Sequence, residues 1–349
     1  MIESAIGKKL DALVQRGFLR SACIELTQKC NIACDYCYLT QKKHQLELPE
    51  VKSIVNRIDE LGVLTLMLTG GEIFYRDDII EILTHIFKKG FFDIVMLTNG
   101  TAFTKEHLGF LSDNSDRFTS IRFSFFSHIP DVHDGFVKKK GAFSKALKSA
   151  QQLRDAGVNV KVIINLLEQN VDNFGETKSY FTSQGFQVSI GIAKTFPDKH
   201  IKENYESTTT TDFYRKFFDQ MDEKVRKGMM RVYDKETKNN RLKESLCSSM
   251  FGIATVLADG TLVPCLAFRN VPFGNVLTDP RPITRIFSES PLYQKLKKTT
   301  RSDVVSCKDC RHVNYCRPCP GAMLEENNSY LQPCSQMCNY VESLHNVCS

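Results

Sequence analysis

Long apolar runs are missing from this 349-residue chain. No stretch approaches the roughly 18 uninterrupted apolar residues that a membrane helix requires. The first twenty residues, MIESAIGKKLDALVQRGFLR, mix charges of both signs and hold no apolar block. Neither a signal peptide nor a membrane partner is expected, and the location implied is the cytoplasm. Charge of one sign is also scarce. The 46 basic residues barely exceed the 40 acidic ones, and the excess of +6 is scattered apart from short runs such as Lys138, Lys139 and Lys140. A nucleic acid partner requires a concentrated basic face, which is not present here. Acidic partners stay open. With 42% hydrophobic and 25% charged residues, the composition sits at the soluble globular norm and excludes disorder and fibrous repeats. The length suits one large domain and a smaller one.

Cysteine is absent from most of the chain and crowded near its two ends. Four of the thirteen lie in residues 23 to 37, none falls between Cys37 and Cys247, and nine lie between 247 and 348. An odd count without a secretory signal argues against a disulfide framework. Two separate cysteine sites that hold metal are implied.

Between them the pattern alternates. Apolar or β-branched runs occur near 21–27, 63–68, 91–98, 119–126, 158–165 and 186–193. Val51, Ile54, Val55, Ile58 and Leu61 keep the spacing of a one-sided helical stripe, with Pro49 before it and Gly62 after it. Phe143, Ala146, Leu147, Ala150 and Leu153 repeat that spacing before Gly157. Six strands alternating with helices predict a parallel sheet, open or curled, with its chemistry at the C-terminal strand ends. Residues 195–211 read as a linker. A helix carrying Phe213, Phe217, Phe218, Met221 and Val225 on one face follows, and a domain boundary falls between 228 and 245. The expected divisions are an extension at 1–20, the α/β domain at 21–230, and a linker with a cysteine-rich domain at 231–349.

The first strand runs into Cys30-x3-Cys34-x2-Cys37. Three thiolates on one loop suit an iron–sulfur cluster with one iron left open, whereas structural zinc prefers four ligands. This loop, with Tyr36 just before its last cysteine, resembles that of the radical S-adenosylmethionine (radical SAM) superfamily. The second strand ends in Gly70-Gly71-Glu72, which resembles the family motif for the SAM amino group. Paired glycines permit close backbone approach, and a carboxylate suits an ammonium. The third strand ends in Thr98-Asn99-Gly100, another recurrent family feature. Ser124 matches the serine at the end of strand four, implying a place near the SAM ribose or carboxylate. Phe126 stands where relatives commonly carry aspartate. His133 and Asp134 read as loop scaffolding. Asn165 ends strand five, where it faces the cofactor or is satisfied by the backbone. Cys23 reads as core and Cys348 as a frayed, exposed thiol.

The C-terminal array, Cys247, Cys265, Cys307-x2-Cys310-x5-Cys316-x2-Cys319, Cys334 and Cys338, has a spacer too short for an ordinary zinc ribbon. It resembles the SPASM extension of radical SAM enzymes, which carries two auxiliary [4Fe–4S] clusters. The resemblance implies that Cys247, Cys265 and Cys319 serve the first. Cys307, Cys310, Cys316 and a late cysteine serve the second. Cys338, taken to open a helix over 339–347, fits that role better than Cys334. Either Cys334 completes the first cluster or that cluster keeps an open iron.

The fold implied is α/β, a partial (β/α)6 TIM-like barrel followed by a small SPASM domain. The implied chemistry is reductive cleavage of SAM to a 5′-deoxyadenosyl radical and abstraction of hydrogen from a substrate, with no protein side chain assigned as catalyst. The commonest family task is maturation of a ribosomally made peptide or protein. The alternatives are a small-molecule or cofactor precursor as substrate, or a non-enzymatic zinc- or cluster-binding scaffold. A reductant such as flavodoxin or ferredoxin is implied. Only about twenty residues precede strand one, so a leader would be gripped by a separate leader-binding protein or by the barrel itself, or none exists.

Overall fold

A computed structural model describes residues 18–34, 36–39, 43–192, 210–231, 242–247 and 252–348. Strands Ser21–Glu25 (β1), Thr65–Thr69 (β2), Asp93–Thr98 (β3), Ser120–Phe125 (β4), Val160–Leu166 (β5) and Gln187–Ile192 (β6) occupy the positions of the six apolar runs. Each pairs in parallel with the next. Alternation sorts their side chains. On β5, Val160, Val162, Ile164 and Leu166 are buried, and Lys161, Ile163 and Asn165 turn to the opposite face. On β4, Ile121, Phe123 and Phe125 join the same core, leaving Arg122 and Ser124 on the face opposite.

The helix over Leu48–Asp59 (α1) starts where the chain offers both a proline and a capping box. The Glu50 side chain accepts from the Glu47 backbone at 2.8 Å, and Glu47 returns the bond. The helix stops before Gly62, which takes a left-handed φ of 66°. Its buried stripe is Val51, Ile54, Val55 and Ile58, as the spacing predicts.

The C-terminal region does not start a sheet of its own. Ile253–Val256 (β7) pairs in parallel with β1, on the side opposite β2. Thr261–Val263 (β8) and Gly274–Asn275 (β9) then add antiparallel strands. The result is one nine-stranded sheet ordered β6-β5-β4-β3-β2-β1-β7-β8-β9. It ends at β6 and β9 without closing, an open partial barrel. First and second cysteine regions therefore share a continuous backbone ladder.

Three expectations change. The helix expected over 213–225 is two helices, Thr211–Asp219 (α2) and Glu223–Arg231 (α3). Asp222 Oδ1 accepts from the backbone of Lys224 at 2.8 Å and starts the second, and Val225 is exposed rather than on the buried stripe. Cys338 does not open the last helix but lies inside it, because that helix (α4) spans Ser335–Cys348. Cys348 consequently sits half-buried against the core instead of fraying. Helix α4 folds back onto α2, where Tyr340 packs edge-on against Tyr214 and Phe218 at 5.3 and 5.2 Å. The linker expected at 195–211, apart from Thr210 and Thr211 at the start of α2, and most of the proposed boundary at 228–245 lie outside the described residues. Among the described residues no helix is long and apolar enough to cross a membrane.

Candidate functional site

The ends of β1, β2 and β3 converge on the loop bearing Cys30, Cys34 and Cys37. Gly70 and Gly71 press directly on the backbone that leads into that loop. A Cβ on Gly70 would lie 2.4 Å from the Thr27 carbonyl, and one on Gly71 would lie 2.3 Å from the Lys29 carbonyl. The Gly71 N–H donates to Thr27 O and the Glu72 N–H to Lys29 O. The glycines thus seat the cysteine loop through their missing side chains. Arg76, almost wholly buried, locks the same junction. It donates to the carbonyls of Leu26 and Leu46 at 2.7 and 2.8 Å and pairs with Asp78.

Glu72 is fully buried and aims at the end of β3. Its carboxylate accepts from Phe74 N at 3.0 Å, from Thr98 Oγ1 at 2.9 and 3.0 Å, and from Asn99 N at 2.6 Å. Burial pushes its pKa up to about 7, against the opposing pull of these donors. Three donors converge on the carboxylate, the single Thr98 hydroxyl proton lying between its two oxygens. Glu72 is therefore a clasp between the glycine turn and Asn99. Asn99 passes the constraint on. Its Nδ2 donates to Asn31 Oδ1 at 3.0 Å and lies 3.6 Å from Cys30 Sγ, and its Oδ1 accepts from both the backbone and hydroxyl of Thr101. Asn31 Nδ2 in turn donates to Thr101 Oγ1 at 2.9 Å. Asn31 and Thr101 escaped the sequence reading. The Asn directly after the first cysteine was the available signal.

The other side of the loop is apolar. Cys30, Cys34 and Tyr36 pack against Ile32, Phe126, Val137, Ala142 and Leu167. Phe126 replaces a polar contact with packing, its ring 4.7 Å from Tyr36 and 5.0 Å from Phe136. His133 is buried in the helix Pro130–Val137 rather than in a loop, and its Nδ1 accepts from Phe126 N at 3.4 Å. Asp134 accepts from Phe143 N at 2.8 Å and from Gly141 N. Both are scaffold. Ser124 lies half-buried on the open face of β4. Asn165 lies on the same face of β5, its Oδ1 in the space a Gly191 side chain would fill, while its backbone carbonyl accepts from Asn170.

The C-terminal thiols fall into two neighbouring groups. Cys247, Cys265 and Cys319 border an apolar cluster that also buries Cys334 and that Cys307 and Cys316 touch as well. Gly321 makes this possible, since a Cβ there would meet the Ala267 carbonyl at 2.5 Å. The segment after Cys319 thereby lies on the segment after Cys265. Cys307, Cys310, Cys316, Cys334 and Cys338 line a cavity of about 180 Å³. Cys334 and Cys338 stand one turn apart at the start of α4, the Cys338 N–H donating to the Cys334 carbonyl. Cys334 interacts electrostatically with Cys319, and Cys338 with Cys307, Cys310 and Cys316. Among the described residues no three His, Cys, Asp or Glu side chains are placed to share a single metal ion.

Residues 24–181 match the model of the radical SAM superfamily, and residues 247–311 match that of the SPASM iron–sulfur cluster-binding domain. The chain belongs to the radical SAM superfamily. Over 313 residues it is 28% identical to the antilisterial bacteriocin subtilosin biosynthesis protein AlbA of Bacillus subtilis, covering 85% of this chain and 66% of that protein. It is also 28% identical, over 43% of its length and 41% of the relative's, to the AdoMet-dependent heme synthase of Nitratidesulfovibrio vulgaris. Streptococcus suis SuiB bound to S-adenosylmethionine shares the fold, with a TM-score of 0.70 at 15% identity over 95% of this chain and 80% of that one. SuiB has also been solved bound to the precursor peptide SuiA, and that structure scores 0.67.

Radical SAM proteins use SAM and a [4Fe–4S] cluster, and SPASM domains hold auxiliary clusters. The residues present fit those groups. All candidate ligands are thiols, the donor type that iron–sulfur clusters take. The cavity at the second group has room for far more than one ion. Burial pushes Cys265, Cys316 and Cys334 up to about 12, so taking up iron requires these thiols to release protons. Arg301 opposes that cost. It is buried beside the cavity, donates to the Cys316 carbonyl at 2.8 Å, pairs with Glu244 at 2.9 Å, and pulls the Cys307 and Cys316 thiols back down.

A second buried ion pair ties the two cysteine regions together. Glu25, fully buried at the end of β1, accepts from both terminal nitrogens of Arg269 and from Ala258 N at 3.3 Å. The Arg269 guanidinium lies 4.9 Å from the ring centre of Tyr38, the residue after Cys37. Cys23 is buried beside this pair, near Cys265. A lone glutamate inside an apolar strand was the sequence signal that went unused.

Proposed function

We propose that this chain cleaves S-adenosylmethionine reductively and uses the 5′-deoxyadenosyl radical to take hydrogen from a peptide that it matures. When bound at Cys30, Cys34 and Cys37, a reduced [4Fe–4S] cluster supplies the electron for that cleavage. The observation that carries the reading is the three-thiol loop held from below by Gly70, Gly71, Glu72 and Asn99. This chain's residues hold and orient. Gly70, Gly71 and the Glu72 clasp fix the loop. Tyr36 and Phe126 shield it from water. Ser124 and Asn165 offer polar groups to SAM from the open face of the sheet. In this reading Cys247, Cys265, Cys319 and Cys334 hold the first auxiliary cluster. Cys307, Cys310, Cys316 and Cys338 hold the second. A flavodoxin- or ferredoxin-type reductant would deliver the electron in the cytoplasm, and a separate leader-binding protein is compatible with this scheme.

A peptide is preferred to a small molecule because the relative named for bacteriocin biosynthesis aligns over 85% of the chain. The relative named for heme synthesis aligns over 43%. The test is anaerobic reconstitution, reduction with dithionite, and quantification of 5′-deoxyadenosine from added SAM. Production of 5′-deoxyadenosine that requires iron and sulfide supports the reading. Protein that binds only zinc and leaves SAM intact would return it to a scaffold.

A further inference from the structure

The open face of β4, β5 and β6 carries charged side chains that neither cluster site uses. Strand register sets Arg122 opposite Lys161, and Lys161 opposite Gln187. All three alternate away from the core residues Ile121, Phe123, Val160 and Val162. The same face carries Ser124 two residues further along β4, about 7 Å closer to the strand ends where the cysteine loop sits. Like charges placed directly opposite across a ladder destabilise it. Among the described residues, the buried guanidiniums of Arg76, Arg269 and Arg301 each pair with a carboxylate, Asp78, Glu25 and Glu244. Arg122 does not. Its Nε is buried without a hydrogen-bond partner, and among the described residues no carboxylate pairs with it or with Lys161. An unmatched, partly desolvated cation is costly unless something anionic completes it.

We propose that Arg122 and Lys161 form an anion subsite on the open face of the sheet that binds a carboxylate of the substrate, selecting peptides that present one. This rests on the peptide-maturation reading and adds the substrate class. The guanidinium fork suits a carboxylate in two-point contact, and the ammonium beside it adds charge. Two sources offer the same group, an Asp or Glu side chain and a free chain terminus.

The experiment reads binding, so it stands apart from turnover. Reconstituted holoenzyme saturated with SAM is titrated with three fluorescent hexapeptides and followed by anisotropy. One is amidated with a central Glu. One is its Gln counterpart. One carries Gln with a free C-terminal carboxylate. At least one carboxylate peptide should bind tenfold tighter than the amidated Gln peptide, and which one names the source. Arg122→Gln combined with Lys161→Gln should erase the preference while iron content and SAM affinity hold. Should the double variant fail to fold, Lys161→Gln alone must cut the preference at least threefold. A wild type indifferent to carboxylate overturns the proposal, as does a preference that survives the variants. Loss of SAM affinity with the preference would overturn it too, by assigning the pair to the carboxylate of SAM. Carboxylate preference in protein that never forms 5′-deoxyadenosine would refute the activity and leave the subsite standing.

Discussion

Burial of Glu72 sets up a pH dependence with a definite sign. Its folded-state pKa, pushed up to about 7, lies above the ordinary carboxyl value of 4.5 expected for the unfolded chain. The folded protein therefore binds the proton more tightly. The associated stability is fully present below the unfolded value and is lost as pH rises through the folded one. Between pH 5.5 and 8.5 the loss amounts to about 2 kcal/mol at 1.36 kcal/mol per unit. Glu72→Gln cannot ionise and should not show it. Its own cost is separate and nearly constant. The amide turns N–H groups toward the donors of Phe74, Thr98 or Asn99, worth about 1–3 kcal/mol. Urea unfolding of equally reconstituted wild type and variant at the two pH values tests this, since all other titrations cancel in the difference. The gap between the two proteins should narrow or invert by about 2 kcal/mol at the higher pH. A gap of the same size at both pH values would refute the reasoning.

Four further expectations follow from the same contacts. Cys30→Ala, Cys34→Ala or Cys37→Ala should abolish 5′-deoxyadenosine formation while auxiliary iron remains, measured by iron assay alongside chromatography. Gly71→Ala drives a methyl toward the Lys29 carbonyl, so it should cost more than 1 kcal/mol and lower occupancy of the first cluster, read by electron paramagnetic resonance. Wild type with three clusters should hold roughly twelve irons, and replacing Cys307, Cys310 and Cys316 together should remove about four without ending SAM cleavage. Cys334→Ser should perturb the first auxiliary cluster's resonance signal rather than the second's; a change confined to the second reassigns that ligand.

The amino-acid sequence by itself determined the six strands, the parallel α/β architecture and the cysteine inventory, because these rest on short-range information. Periodicity over ten residues decides which helix face is buried, and Cys30, Cys34 and Cys37 share one loop whatever the rest of the chain does. Val51, Ile54, Val55 and Ile58 needed no tertiary knowledge. What depended on distant partners was decided only by the tertiary structure. The packing of the Thr27–Lys29 backbone against Gly70 and Gly71 is one such feature. The bonds of Glu72 to Thr98 and Asn99 are another, because a buried carboxylate takes the donors that the neighbouring strand supplies. The extension of the sheet by β7 follows from the ladder at β1, whose free edge no local pattern reveals. Arg269 is distant in sequence from both Glu25 and Tyr38, and Arg122 and Lys161 belong to different strands. Their meaning is electrostatic, and electrostatics depends on separation in space, which strand register sets and sequence spacing does not.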